Sequence, residues 1–325
     1  MQFACIILIS PKNTFAKANT KVDIINANNN SNTDAIRTSN TITTPNNAYL
    51  DFNIKNCDQE TKKNIQFTFQ FVNFLIKYAL MDSKFDTLLT DGISKDAIDL
   101  FLSLSSKLDI STISKFPQTI VTINGAPGAG KGTNTRTIMR HLDIVDEPII
   151  ASDLLKVDPV LLERINQGLL INDNDVVYVT LKKLLECGKN GINSIILDGY
   201  PRTKMQAEII SVLKFFSENL LNIPMRVISV VFTVDAKTSI ARQLHRGQEA
   251  LHYNENLAES SHERVEVRPT DLDQNSAFVR YNQFVEKTLP GIRFLKTHSE
   301  YYEIDACGSF DEVKQKIEKE LIPNN

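Results

Sequence analysis

The run Gly125-Ala126-Pro127-Gly128-Ala129-Gly130-Lys131-Gly132-Thr133 constrains what this chain can fold into more than any other feature. It follows the β-branched stretch Thr119–Asn124 and runs into a helical stretch. Its glycines let the backbone turn tightly and aim several N–H groups inward. The following helix contributes its positive N-terminal end, and Lys131 contributes a mobile cation. Together they form a cradle for the β- and γ-phosphates of a nucleotide, with Thr133 placed to face a magnesium ion that bridges them. Further β-branched runs occur at Ser194–Leu197, Arg226–Val234 and, more weakly, Tyr301–Ile304, with helical patterns between them. This alternation predicts an α/β fold, a P-loop NTPase-type parallel sheet with helices on both faces.

The 325 residues exceed what that domain needs. A formal net charge of −3 gives no reason to expect nucleic acid or an anionic membrane as partner. Cys5, Cys57, Cys187 and Cys307 form no C-x-x-C pair, which argues against a disulfide framework and fits a reducing, cytoplasmic setting. The apolar stretch 3–9 is too short to span a bilayer. Lys12, Lys17 and Lys21 precede the first acidic residue, Asp23, so the leader is mildly transit-peptide-like and organelle targeting stays open. From Asn13 to about Asn47 the composition is that of a disordered tether, which makes residues 1–49 a low-complexity leader.

Residues 50–116 read as a separate small helical N-terminal unit of unassigned role. Ile65, Phe69, Val72 and Ile76 lie at helical spacing within Gln59–Met81, interrupted by Thr68, Gln70, Asn73 and Lys77, so a membrane span is not expected. Ser94 has the character of a helix cap before Lys95–Leu108, with Ala97, Ile98, Phe101, Leu102 and Leu104 as the buried face.

A second motif follows the strand at Ser194–Leu197: Asp198-Gly199-Tyr200-Pro201-Arg202-Thr203-Lys204-Met205-Gln206-Ala207. A carboxylate at the end of a strand can hold water ligands of magnesium. Arg202 offers a planar fork of donors to a phosphate, and the Gln206 amide can donate and accept at a base edge. Later, Arg242 and Arg246 are four residues apart on one helical face, and Arg268-Pro269-Thr270-Asp271 precedes a helix bearing Arg280.

The pair G-x-P-G-x-G-K-G-T and L-D-G-[FY]-P-R-T-x-x-Q-A resembles the nucleoside monophosphate kinases of the adenylate kinase family, from about Phe116 to the end of the chain. The resemblance implies a kinase domain over 117–325, with an acceptor-binding insert at about 151–180 and a mobile lid at about 247–267. Asp153-Leu154-Leu155-Lys156 and Asn166-Gln167-Gly168 resemble pieces of that insert. It assigns ATP binding to Gly125, Ala126, Pro127, Gly128, Ala129, Gly130, Lys131, Gly132, Thr133 and Arg242. The acceptor falls to Ala151, Lys156, Gly199, Arg202, Gln206, Arg268 and Arg280, and catalysis to Lys131, Arg202, Arg246, Arg268 and Arg280. Thr133, and Asp198 through water, would serve Mg2+; the lid lacks the four cysteines of zinc-bearing versions, so no structural zinc is expected.

The implied activity is a monomeric phosphotransferase converting ATP and AMP into two ADP. A UMP/CMP-type kinase is one alternative. Another is a catalytically weak nucleotide-binding module that recruits a protein partner through residues 50–115. Three departures bear on the choice of acceptor: Ala151-Ser152-Asp153 in place of Thr-Gly-Asp, Lys156 in place of arginine, and Pro269-Thr270-Asp271 in place of a tandem acidic pair.

Overall fold

The computed structural model describes residues 82–108, 110, 116–157, 159–166, 171–255, 257 and 261–321. The leader, the aromatic stripe within Gln59–Met81 and the turn at Gln167–Gly168 lie outside these residues. Two helices, α1 (Asp82–Thr90) and α2 (Lys95–Lys107), precede β1 (Thr119–Gly125), which ends at the phosphate loop and leads into α3 (Lys131–His141). β2 (Ile149–Ile150) is followed by α4 (Ala151–Val157), α5 (Pro159–Asn166) and α6 (Asp173–Lys189), and β3 (Ser194–Asp198) by α7 (Lys204–Asn219). β4 (Arg226–Thr233) leads into α8 (Ala236–Glu255), and α9 (Gln274–Gln283) passes through a π-helical turn at Phe284–Thr288 into α10 (Leu289–His298). The chain closes with β5 (Glu300–Asp305) and α11 (Phe310–Glu320).

The strands form one sheet in the order β2-β3-β1-β4-β5, and every pairing is parallel. β1 lies in the middle, so its residues are buried from Ile120 onward, as a β-branched strand covered on both faces requires. Alternation sends Ile120, Ile195, Leu197 and Val227 to one core, and Val121, Ile123, Ile196, Ile228 and Val230 to the other. The first core is closed by α6 and α7, the second by α3 and α11. Helices that follow neighbouring strands β1 and β3 therefore leave on opposite faces. This opens a crevice between the carboxyl ends of those strands, the position where such sheets bind ligands.

Part of the small N-terminal helical unit expected from the sequence is described, from Asp82 onward, and it packs on the sheet. Leu88, Ile93, Ala97, Ile98, Phe101, Leu104, Ile110 and Phe116 belong to the same core as α6 and α7. Phe101 meets Phe216 edge to face, with ring centroids 5.3 Å apart. The predicted cap is present: the Ser94 side chain accepts from the Ala97 N–H. What the sequence could not reveal is the destination of the apolar face, because a helical stripe has the same period whether it packs within its own unit or on the sheet.

α8 continues to Glu255, so the expected lid span of about 247–267 begins as helix. Its base is closed by Asn254, whose side chain both donates to the Val265 carbonyl (2.9 Å) and accepts from the Val265 N–H (3.0 Å).

Candidate active site

The phosphate loop is shaped by close backbone approach. Gly128 has φ +74°, and a Cβ there would sit 2.8 Å from the Ser239 carbonyl oxygen, so only glycine fits. The loop is tied to α8 by the Ser239 hydroxyl, which donates to the Pro127 carbonyl at 2.7 Å. It is tied to the second motif by Asn124, which donates to the Tyr200 carbonyl at 2.9 Å, and by the Gly199 N–H, which donates to Ile123 at 3.0 Å. The two motifs are thus held side by side across the crevice.

Lys131 opens α3 and folds back to donate to the carbonyls of Gly125 (2.8 Å) and Ala126 (3.1 Å). Burial lowers its pKa to about 8; Asp198 opposes the shift, and Arg280, Arg202 and Arg246 add to it. Burial likewise disfavours the charge of Arg202, which Asp198 supports and Arg268 opposes, and that of Arg280, which Asp271 supports. Five cations, Lys131, Arg202, Arg246, Arg268 and Arg280, therefore act on one another in a region where the described carboxylates are Asp198, Asp271 and Glu266, the last 3.6 Å from Arg268 Nε. Such an excess of positive charge suits a polyanion.

Asp271 organises half of this cluster, a role the sequence reading did not assign. It is buried, and it accepts from Arg246 Nε at 2.8 Å and Arg280 Nη1 at 3.0 Å. Gly247 makes room for it: a Cβ there would lie 2.2 Å from the Asp271 carbonyl oxygen. Arg246 Nη2 lies 2.7 Å from Asp271 Oδ2 without hydrogen-bond geometry, and it is buried with no hydrogen-bond partner. Asp271 keeps the Arg246 charge paired, and an incoming phosphate oxygen would accept from this Nη2 in line.

Asp198 ends β3 half-buried. Desolvation raises its pKa, while Lys131, Arg202 and the Thr135 hydroxyl pull it back. The Thr135 hydroxyl lies close enough to act on Asp198 while it donates to the Lys131 carbonyl at 2.9 Å, whereas Thr133 sits exposed in the first turn of α3. These oxygen donors are of the hard type that suits Mg2+.

In the second motif, Arg202 donates through Nε to the Gly199 carbonyl at 3.0 Å, and its own carbonyl accepts from the Thr288 hydroxyl at 3.0 Å. Gln206 is buried, and both ends of its amide are engaged. Its oxygen accepts from the Arg202 N–H (2.8 Å), and its nitrogen donates to Asp173 (2.7 Å), which also accepts from Thr203 (3.0 Å). The structure therefore gives Gln206 a positioning task, and Asp173 would have to release it before it could read a base. Ala151 is buried at the end of β2, while Lys156 is exposed and lies 3.5 Å from Asp153 on the surface of α4. Arg242 is committed to the loop after β5, donating to the carbonyls of Ala306 (2.7 Å) and Gly308 (2.9 Å).

The fold and loop define a P-loop nucleotide-binding α/β protein. Comparison with known proteins takes this further. The "Adenylate kinase" of Mycoplasma mycoides subsp. mycoides SC is 26 % identical over 219 residues, covering 61 % of this chain and 96 % of that one. The "Uridylate kinase" of Schizosaccharomyces pombe is 25 % identical over 213 residues, 63 % of this chain and 97 % of that one. A "Probable adenylate kinase 1, chloroplastic" of rice is 37 % identical over 94 residues, so that this chain spans only 31 % of its length. No family model matches. Among solved structures, a putative kinase from Chloroflexus aurantiacus aligns over 64 % of this chain and 100 % of that one at 15 % identity and a TM-score of 0.35. The chain is a nucleoside monophosphate kinase-like enzyme by distant homology, over the 61–63 % of its length that the bacterial and yeast matches span.

Proposed function

We propose that the protein transfers the γ-phosphoryl group of ATP to a nucleoside monophosphate, with AMP the preferred acceptor. The observation that carries this reading is the cluster of Lys131, Arg202, Arg246, Arg268 and Arg280 across a crevice lined by the phosphate loop and Asp198. A loose phosphoryl-transfer transition state asks for in-line positioning and positive charge on the moving group, with little covalent help. In this reading the loop amides and Lys131 hold the donor's β- and γ-phosphates. Arg202 holds the acceptor phosphate, and Arg246 and Arg280, spaced by Asp271, face the group in transit. Arg242 fixes the loop at 306–308 beside the donor. Thr133 and Asp198 would serve Mg2+, which when bound screens phosphate charge. The lid segment at about 247–267 would cover the site and exclude water, the competing acceptor. A cytoplasmic, monomeric enzyme is part of the same proposal; among the described residues no helix is long and apolar enough to cross a membrane.

A pyrimidine monophosphate is the second reading, favoured by Ala151 at the acceptor side and by the occupied Gln206 amide. A coupled assay across AMP, GMP, CMP and UMP separates the two. The highest kcat/KM with AMP is the expected result; a maximum with UMP or CMP reverses the assignment.

The lowered pKa of Lys131 carries a pH prediction. Free enzyme holds the ammonium below about pH 8 and loses it above. Because the charged form binds phosphate, kcat/KM for ATP should fall as pH rises through about 8. Bound phosphates raise that pKa again, so kcat should stay level to higher pH. A kcat/KM for ATP that is flat up to pH 9.5, roughly one and a half units higher, would contradict the assignment.

A further inference from the structure

We infer that the loop between α1 and α2 is a clamp that positions the acceptor half of the site, with Ser94 and Glu208 as its positioning residues. This rests on the phosphotransfer reading above for its functional consequence, though not for its geometry. Glu208 lies on α7, two residues after Gln206 and one turn after Lys204, and its side chain is buried. A carboxylate in such a place needs partners. Two come from the N-terminal segment: the Ser94 N–H donates to Oε1 at 3.2 Å and the Ser94 hydroxyl to Oε2 at 2.7 Å. The third is Lys204, in the first turn of α7.

These contacts close into a ring. The Lys204 ammonium lies over the Phe294 ring at 5.4 Å, Phe294 stacks on His298 at 3.9 Å, and His298 Nε2 donates to the Asp91 carbonyl at 2.9 Å. Asp91 and Ser94 thus grip α7 and α10 at once, with Ile93 buried between them in sequence. Both helices back the acceptor arginine. α7 is capped by Thr203, next to Arg202, and α10 presses Gly291 so closely on Thr203 that a Cβ would lie 2.6 Å from its carbonyl oxygen. The Thr288 hydroxyl, just before α10, holds the Arg202 carbonyl. A change at Ser94 therefore reaches Arg202 and Gln206 through two rigid helices without touching the phosphate loop.

The test uses the full chain carrying Ser94→Ala, Ser94→Thr or Ser94→Asp. The aspartate keeps an N-cap acceptor for α2 but sets a second carboxylate against Glu208, which separates docking from capping. Ser94→Ala should raise the KM for the acceptor about fivefold, with kcat and the KM for ATP within about twofold of wild type. Ser94→Asp should raise it further, and Ser94→Thr should restore it. Hydrogen exchange of the 202–208 amides should quicken in the same order, with the β1 and β4 amides unchanged. Unaltered exchange at 202–208 overturns the clamp, as does an equal rise in both KM values or a Ser94→Asp variant that behaves like wild type. If the wild type phosphorylates no monophosphate, the phosphotransfer reading fails, and the exchange result still decides the clamp.

Discussion

Lys131→Met should lower kcat by about 10³-fold while the protein keeps its fold. Methionine keeps most of the apolar stem of the side chain and removes the ammonium, with its charge and its hydrogen-bond donors. In the free protein that charge is held by two loop carbonyls, and burial and three arginines work against it. Removing a disfavoured cation should leave the melting temperature at or slightly above that of wild type. The catalytic loss is large because the ammonium would follow charge as it builds on the transferring group, in a site that excludes water. Steady-state kinetics beside a thermal melt checks both halves. A variant within about threefold of wild-type kcat would show that Lys131 is not part of the chemistry.

Asp271→Asn should have the second largest effect, lowering kcat by about 10²-fold and stability by about 1–3 kcal/mol. The asparagine keeps the shape of a buried residue that accepts from Arg246 and Arg280 but withdraws the charge that spaces them. Both arginines retain partial access to water, which keeps the stability loss below that of a fully buried broken pair. Without the carboxylate, the two guanidinium groups repel and leave their shared geometry. Turnover and chemical denaturation together measure the prediction. Wild-type turnover in a folded Asp271→Asn protein would remove Asp271 from the account.

The sheet and the position of the phosphate loop were legible because β-branched runs and a glycine-rich turn carry local signals. The two-residue strand Ile149–Ile150 has no periodicity to read, and it forms only because it pairs with Leu197 and Asp198. The site arginines were legible as an ordered set, but their partners were not. Asp173 lies 30 and 33 residues before the groups it holds, Thr203 and Gln206, and Asp271 lies 25 and 9 residues from Arg246 and Arg280, so no local pattern marks them out. The glycine at 247 was a weak clue, since a helical glycine often marks a close approach of another backbone. Gln206 shows the converse limit: its residue type suits a base edge, yet the fold engages both ends of its amide. The N-terminal helices had a readable cap and stripe, while their docking on α7 depends on Glu208, a buried carboxylate that local pattern would place at the surface.

The most direct test of phosphoryl transfer follows the label from ATP carrying a radioactive γ-phosphate, incubated with the full chain, Mg2+ and each monophosphate in turn. The account predicts label in a nucleoside diphosphate, formed only when a monophosphate is present, fastest with AMP and abolished by Lys131→Met. Label released only as inorganic phosphate, or none transferred to any monophosphate by a folded protein that binds ATP, would contradict it.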